Sequence, residues 1–328
     1  MSDAEYDRAV VGLNALGGRL TGTLAQLFAE SPIFIQDLRF RVKEKASADR
    51  KLAKVPDLVG YKDMYDLLGL RVVTLFESDL VQAGEIIRQL MNVDETTSAT
   101  KQDLYQPNQF GYMSVHFIGR LHPSRLELPE YASHADLRFE VQLRSVLQHA
   151  WAEIEHDLGY KPSRPVSPSI RRQFSILAAV MELADAQFSD LKRTLEAAEE
   201  AAVIAIDSGA GKTLDVATLL GLIKSQDVHL LDSQVVASRN AMLSPYGKHF
   251  RKGVGDLADL CQRAELVNAE DIIGVLQERR DRVLEIAASS PADDYERALP
   301  DGRGYRPGVS LFIAVMLLTE ERENVVLF

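Results

Sequence analysis

The sequence predicts an α+β fold, with a mixed β-sheet flanked by helices in the first half and a mainly α-helical C-terminal region. Between residues 63 and 158, the runs L-L-G-L-R-V-V-T-L-F and F-E-V-Q-L-R-S-V are short and rich in β-forming residues. They alternate with segments of helical periodicity at 80–91 and 145–160. Strands mixed with helices of this length are typical of an α+β domain.

Helical patterns dominate both ends of the chain. The first thirty residues have the pattern of one helix, with Leu13, Leu16, Leu20, Leu24 and Leu27 at three- and four-residue spacing. After Pro168 the β-rich runs largely disappear, and residues 169–205 have the pattern of one long helix. Its apolar stripe contains Phe174, Leu177, Val180 and Leu183. We therefore predict two domains, residues 1–165 and residues 166–328, the second with a regulatory role.

Composition limits the classes of function. An apolar fraction of 46% with 26% charged residues is that of an ordinary folded protein. The net charge of −11 argues against a protein that coats nucleic acid. The N-terminus has no basic segment followed by an apolar one, and the apolar run at 309–318 is about half of a membrane span. We expect a cytoplasmic protein with no membrane contact.

Basic residues are concentrated between Arg39 and Lys54. This segment has seven lysines and arginines against two acidic residues, Glu44 and Asp49. Clustered cations in an otherwise acidic protein favour a local anion site. A solvated helix face is the alternative interpretation.

Polar side chains alternate with apolar ones along two of the predicted strands. Successive residues of a strand point to opposite faces, so every second residue shares a face. A solvated face usually carries threonine, lysine and serine, whereas these rows contain acidic, basic, amide and aromatic groups. An active site and a half-solvated sheet both remain open on this pattern alone. The rows are Glu140, Gln142 and Arg144 in one strand and Tyr112, Ser114 and His116 in the other.

Asp66 precedes an apolar strand, and Arg71 follows five residues later. An odd spacing would put the two side chains on opposite faces of one strand. We therefore expect Asp66 in the turn before the strand. A carboxylate there could hold Mg²⁺, which binds one or two carboxylates together with substrate phosphates.

The order of these segments resembles the synthetase domain of the RelA/SpoT alarmone-synthetase family. The motifs are R-V-K…S…R-K, D-L-L-G-L-R, G-Y-M-S-V-H, E-V-Q-L-R-S and H-A-W-A-E-I-E-H-D-L-G-Y-K, all within about residues 30–165. The resemblance implies a nucleotidyltransferase-like sheet and an enzyme that uses Mg²⁺. The implied reaction moves the β,γ-diphosphate of ATP to the ribose 3′-hydroxyl of GDP or GTP, which makes (p)ppGpp and releases AMP.

The resemblance also implies a role for each matched residue. Arg41 and Arg71 would sandwich the adenine of ATP, and Lys43 and Lys51 would contact its phosphates.

At the centre of the site, the resemblance implies that Asp66 and Glu140 hold the metal and that Glu140 also activates the acceptor 3′-hydroxyl. His116 would lie close to the reacting phosphates, and Tyr112 would stack on the acceptor base. We assign Gln142 and Arg144 to the acceptor side as well.

One motif departs from the family pattern. The usual run P-K-x-N-G-Y is here P-N-Q-F-G-Y, so Asn108 replaces a lysine and Phe110 replaces an asparagine. That lysine commonly helps to hold the phosphates of the GDP or GTP acceptor. Guanine nucleotide ranks first as acceptor, and the 3′ end of tRNA, the substrate of toxin-type members, ranks second.

Two further alternatives stay open on the sequence. A catalytically silent nucleotide sensor is one, although Asp66 and Glu140 argue against it because a sensor does not need a metal carboxylate and a base. The other is a toxin–antitoxin-like scaffold whose function lies in the helical half of the chain. Partners also stay open, because nothing in residues 166–328 decides between a homo-oligomer and a regulatory protein.

Overall fold

The computed structural model describes residues 3–56, 58–100, 114–159, 167–208, 213–238, 241–243, 248–289 and 304–323. The chain divides into two compact units, Met1–Asp190 and Leu191–Phe328. The division falls inside the long helix α8 (Pro168–Asp207), and the domain boundary predicted after residue 165 stays a prediction. In the described part of the chain, no helix is both long enough and apolar enough to cross a membrane.

A mixed β-sheet forms the centre of the first unit. Its strands are β1 (Ile35–Val42), β2 (Leu68–Thr74), β3 (Met91–Val93), β4 (Ala99–Thr100), β5 (Val115–Leu121) and β6 (Phe139–Ser145). The strand order is β1-β2-β6-β5-β3, and β4 pairs with β5. The β2–β6 pair is parallel, whereas every other pair in this sheet is antiparallel. The sheet and its helices confirm the predicted α+β class.

Helices cover the sheet and connect its strands. Those of the first unit, besides α8, are α1 (Asp3–Val10), α2 (Leu13–Ala29), α3 (Lys45–Lys54), α4 (Leu80–Leu90), α5 (Pro123–Leu126), α6 (Pro129–Ala132) and α7 (Val146–Gly159). The prediction of one helix over the first thirty residues was wrong. Gly12 has a φ of 79°, in the left-handed region, and separates α1 from α2. The predicted leucines still form the inner face of α2, with Leu27 only partly buried.

The apolar face of the sheet packs against α2 and α4. Leu70 and Val72 of β2 and Val141 and Leu143 of β6 are buried there, beside Phe117 of β5. Each such side chain stabilises the fold by about 1.5–3 kcal/mol through burial. Because strand residues alternate, the same strands point their polar residues to the opposite face.

The second unit is mainly helical, as predicted. Its helices, besides the end of α8, are α9 (Val216–Lys224), α10 (Gln226–Ser238), α11 (Lys248–Arg263), α12 (Ala269–Glu278), α13 (Arg280–Ser289) and α14 (Val309–Glu323). The apolar run at 309–318 lies in α14, which is buried within this unit. Asp232 accepts hydrogen bonds from the backbone N–H groups of Gly308 and Ser310 and so caps the start of α14. A two-strand pair, β7 (Met242–Leu243) with β8 (Gly304–Tyr305), was not predicted because two residues carry no alternation.

The apolar stripe predicted for α8 does not face the core of the first unit. Leu177, Val180 and Leu183 are 54%, 57% and 63% exposed, and Phe174 is half-buried against Trp151. The reason is that hydrogen-bonding residues line the inner face of α8 instead. Asp185 accepts from the hydroxyl of Ser145, and the hydroxyl of Ser189 accepts from the backbone N–H of Ser78 at 3.3 Å.

We predict that Gly119→Ala destabilises the first unit by roughly 1–3 kcal/mol, the usual cost of overpacking. A Cβ at this position of β5 would lie 2.1 Å from the backbone oxygen of Asn92 in β3, so a strand must shift. Gly18→Ala is the matched control, because a Cβ there meets nothing within 4 Å and α2 should gain up to about 1 kcal/mol. Urea denaturation measures both, and equal midpoints for the two variants would contradict the strand pairing.

Candidate active site

The polar face of the sheet gathers residues from β1, β2, β5 and β6. The parallel register sets Gly69 beside Glu140 and Arg71 beside Gln142. The antiparallel register sets His116 beside Gln142. Cross-strand partners point to the same face, so these side chains lie in one patch.

A chain of hydrogen bonds runs across this face. The hydroxyl oxygen of Ser114 lies 2.6 Å from Nε2 of His116, and Nδ1 of His116 lies 2.7 Å from Oε1 of Glu140. Gln142 donates to Oε2 of Glu140 at 2.8 Å, and Arg144 donates to the amide oxygen of Gln142 at 3.1 Å. Both oxygens of Glu140 are therefore held by neighbours on the same face.

Glu140 is an ionised carboxylate in a buried position. Its residue is only 6% exposed, and this burial raises its pKa. Hydrogen bonds from His116 and Gln142 act in the opposite direction and bring the pKa below the ordinary value. An ionised carboxylate only accepts hydrogen bonds, so Nδ1 of His116 carries the proton between them.

Asp66 lies in the turn before β2, where the sequence predicted it. Its Oδ2 accepts from Lys43 at 3.0 Å and from Lys51 at 2.8 Å. Burial raises the pKa of Asp66, but the two lysines outweigh it and bring the pKa below the ordinary value. A backbone hydrogen bond from Lys43 to Leu67, 2.8 Å long, fixes the end of β1 beside this turn.

The two carboxylates are suited to a hard cation. Oδ1 of Asp66 is buried and has no hydrogen-bond partner, and repulsion from Asp66 acts to raise the pKa of Glu140, so the two groups lie close together. Among the described residues, no cluster of three or more acidic, histidine or cysteine side chains could hold a metal. Mg²⁺ needs no such cluster, because it keeps several waters and binds one or two carboxylates plus phosphate oxygens.

Arginines give the rest of the face a positive charge. Burial lowers the pKa of Arg144, and repulsion from Arg71 and, more weakly, from Arg41 lowers it further. Arg71 contacts Glu153 at 3.1 Å and Asp37 at 3.5 Å, which offsets part of this charge. The Nε atoms of Arg71 and Arg144 are buried without a hydrogen-bond partner. Buried donors of this kind are suited to an anionic ligand.

Sequence reasoning missed two neighbours of the site. Nζ of Lys51 lies 4.3 Å from the ring centre of Tyr65, and the guanidinium of Arg138 lies 6.0 Å from the same ring. Tyr65 adjoins Asp66, and Arg138 stands two residues before Glu140. One more step of the alternation, from Glu140 back to Arg138 just before β6, would have identified Arg138.

The structure thus brings most of the predicted site residues together and leaves one outside its description. Tyr112 lies outside the described residues, as does Asn108, where the sequence departs from the family pattern. Arg41 lies exposed on the edge strand β1. The remaining predicted residues form the polar face and its edge at Asp66: Lys43, Lys51, Asp66, Arg71, His116, Glu140, Gln142 and Arg144. The functional role of each stays a prediction.

The first half of the chain is similar to known proteins. The family model described as "Region found in RelA / SpoT proteins" matches residues 40–164. GTP pyrophosphokinase YwaC of Bacillus subtilis is 24% identical over 166 residues, 49% of this chain and 76% of YwaC. GTP pyrophosphokinase YjbM of the same organism is 24% identical over 164 residues, 49% of this chain and 74% of YjbM.

Solved structures similar to this chain include small alarmone synthetase 1 from Bacillus subtilis, at 22% identity and a TM-score of 0.49 over 59% of this chain and 99% of that one. The same synthetase bound to its product pppGpp has 21% identity and a TM-score of 0.49, over 58% and 98%. The family match covers the basic segment, the turn at Asp66 and the polar strands. Residues 40–164 are therefore similar to the region found in RelA and SpoT proteins.

Proposed function

We propose that this chain is a (p)ppGpp synthetase, which moves the β,γ-diphosphate of ATP to the 3′-hydroxyl of GDP or GTP. The observation that carries the proposal is the buried, ionised Glu140 beside an unpartnered oxygen of Asp66, on a face lined with arginine and lysine. The two curated relatives are named GTP pyrophosphokinase, and this chain covers about three quarters of each. That similarity supports the same reaction here.

The donor binds, on this proposal, at the edge formed by β1 and the turn at Asp66. Lys43 and Lys51 flank Asp66 at hydrogen-bond distance and supply point charges to the phosphates of ATP. Arg41 and Arg71 sandwich the adenine, because a planar guanidinium stacks on a purine. In the pairing of β1 with β2, Arg41 lies beside Gly69 and Arg71 lies beside Arg39. Arg41 and Arg71 are therefore two residues apart along these neighbouring strands.

Asp66 and Glu140 would hold Mg²⁺, with Oδ1 of Asp66 as the free ligand atom. When bound, the metal neutralises negative charge on the transferred diphosphate. The lysines that now contact Asp66 are then available to the donor phosphates. Charge neutralisation and positioning supply most of the rate in phosphoryl transfer, since little covalent chemistry is left to the protein.

Glu140 accepts the proton of the acceptor hydroxyl. The 3′-oxygen attacks the β-phosphorus of ATP, the bond from that phosphorus to the α,β-bridging oxygen breaks, and AMP leaves with that oxygen. A pKa below the ordinary value keeps Glu140 deprotonated at neutral pH but makes it a weak base. Such a base suffices for a loose transition state, because the attacking oxygen gains little bonding before the leaving group departs.

The acceptor lies on the β5 and β6 side of the face. We propose that Tyr112 stacks on its base and that Gln142 and Arg144 contact its polar groups. Arg144 has a buried Nε without a partner, which supports an anionic acceptor. The replacement of the family lysine by Asn108 favours the second candidate, the 3′ end of tRNA, which carries no 5′-diphosphate.

Two broader properties follow from the proposed reaction. ATP, GDP and GTP are nucleotides of the cytoplasm, which supports a cytoplasmic location. We also propose that residues 166–328 form a regulatory region, since the proposed site residues all lie before residue 166.

The acceptor panel tests the proposed reaction. Purified protein is mixed with γ-labelled ATP, Mg²⁺ and one acceptor: GDP, GTP, ATP, intact tRNA or tRNA without its terminal adenosine. We expect label on GDP or GTP together with AMP. Label on intact tRNA alone would replace the proposed function by the toxin-type reaction, and label on no acceptor would leave a nucleotide sensor.

Glu140→Gln should lower turnover at least roughly a hundredfold, because the amide keeps the shape but cannot accept the proton or bind the metal as a carboxylate. Glu155→Gln is the matched control, since Glu155 is exposed on α7 and lies outside the site. AMP release measures both variants, and circular dichroism checks the fold. Turnover of wild-type size in a folded Glu140→Gln protein would remove Glu140 from the mechanism.

Ser114→Ala should lower kcat by up to roughly tenfold with little change in KM, the usual effect of losing one hydrogen bond. The serine hydroxyl orients the ring of His116, which in turn orients Glu140. Ser114→Thr keeps the hydroxyl and should restore kcat. Long-range ¹H–¹⁵N spectra of the histidines should show a changed ring state of His116 in the alanine variant, and equal loss in both variants would reduce Ser114 to a packing role.

A further inference from the structure

Four side chains form a polar cluster on the face of the sheet, at the end away from Asp66. The guanidinium of Arg71 lies at its centre and contacts Oε1 of Glu153 at 3.1 Å and Oδ2 of Asp37 at 3.5 Å. Nδ1 of His149 lies 3.7 Å from the same Oε1 of Glu153. We call this group, which consists of Asp37, Arg71, His149 and Glu153, the Arg71 cluster.

Three atoms of the Arg71 cluster lack a hydrogen-bond partner in the part of the chain that the structure describes. They are Oδ2 of Asp37, Nε of Arg71 and Nδ1 of His149, and all three are buried. The other oxygen of Asp37 accepts from Nε of Arg39 at 2.6 Å, so only Oδ2 is left over. Buried polar atoms are normally paired, and three unpaired ones in a single cluster indicate a ligand that supplies their partners.

The cluster offers one acceptor and one donor to such a ligand. Oδ2 of Asp37 can only accept, whereas the carboxylate of Glu153 favours the tautomer of His149 with the proton on Nδ1. Burial lowers the pKa of His149 and repulsion from Arg71 lowers it further, so the ring is neutral at neutral pH. Asp37 acts to raise this pKa, which shows that the acceptor and the donor lie close together.

The Arg71 cluster lies where the far edge of the donor base would be. In the proposed function, Lys43 contacts the donor phosphates and Arg71 stacks on the base. Arg71 pairs with Arg39 of β1, which is four residues from Lys43 and two from Asp37, or about 13 Å and about 7 Å along the strand. A base on Arg71 with its phosphates at Lys43 therefore turns the edge opposite its ribose toward Asp37.

Selection of the donor base needs groups at that edge. The proposed reaction uses two purine nucleotides, and stacking does not distinguish them because every base has a π-face. Adenine presents the N6 amino group, a donor, beside N1, an acceptor. Guanine in the same pose presents O6, an acceptor, beside N1–H, a donor. The first pattern matches the acceptor of Asp37 and the donor of His149, and the second opposes both.

We propose that Asp37 and His149 select adenine at the donor site, with Oδ2 of Asp37 accepting from N6 and Nδ1 of His149 donating to N1. Glu153 holds Arg71 and orients the ring of His149. Guanine in this pose would leave both buried groups unpaired, which is a strong means of rejection. The inference rests on the proposed function, because it requires ATP as the donor with its base on Arg71.

Purine riboside 5′-triphosphate tests the contact of Asp37, because it lacks only the N6 amino group of ATP. Calorimetric titration with Mg²⁺ and no acceptor should show that the wild type binds it about tenfold more weakly than ATP, the effect of one hydrogen bond to a charged group. In Asp37→Ala the ratio of the two affinities should fall to about one. Glu30→Ala removes an exposed carboxylate before β1 and should keep the tenfold ratio.

1-Deaza-ATP tests the contact of His149, because a C–H group replaces N1. The wild type should bind it about fivefold more weakly than ATP, the effect of one neutral hydrogen bond. His149→Ala should bind both nucleotides equally. His149→Asn keeps an N–H donor close to the position of Nδ1 and should retain part of the difference. A fivefold difference that persists in His149→Ala would remove His149 from the proposal.

The titrations distinguish this inference from the proposed function. A wild type that binds none of the three nucleotides would overturn both. A wild type that binds all three with equal affinity would overturn only the selection of adenine by the Arg71 cluster. A tenfold preference for ATP that survives in Asp37→Ala would do the same, because another group would then contact N6.

Discussion

The parallel pairing of β2 with β6 is the constraint on which the site depends. It sets Gly69 beside Glu140, so the turn that carries Asp66, just before β2, lies near Glu140 at the start of β6. Strands that are neighbours in space but distant in sequence thereby bring two carboxylates close enough to repel each other. Without this register, the lysines at Asp66 and the histidine at Glu140 would belong to separate surfaces.

Hydrogen bonds within the protein, rather than water, compensate the hydration that the two carboxylates lose on burial. A buried carboxylate is stable only where charged or polar donors compensate its lost hydration. Glu140 has His116 and Gln142, and Asp66 has two lysines on one of its oxygens. The free oxygen of Asp66 and the unpartnered Nε atoms of Arg71 and Arg144 are the exceptions. At these atoms the protein itself supplies no hydrogen-bond partner.

Much of the site could be predicted because it follows from local rules. Alternation grouped Glu140 with Gln142 and Arg144, and an odd spacing placed Asp66 in the turn before β2. The contacts between these groups could not be predicted from periodicity, since they depend on which strands pair and in what direction. Tyr65 was missed for the same reason, because its contact with Lys51 joins two separate segments of the chain. In α8, periodicity identified the apolar stripe but could not show which side of the helix packs on the first unit. That side is set by hydrogen bonds of Asp185 and Ser189 to residues far away in the sequence.

The binding of a metal–nucleotide complex tests most directly whether Asp66 and Glu140 form one site. Calorimetric titration would use Mg²⁺ with an ATP analogue whose α,β-bridge cannot be cleaved, on the wild type, Asp66→Asn and Glu140→Gln. Each substitution should weaken binding of the metal complex at least about tenfold, because it removes one charge-assisted contact, while binding of the metal-free analogue should change little. Metal-dependent affinity that is unchanged in both variants would show that the two residues do not form one site.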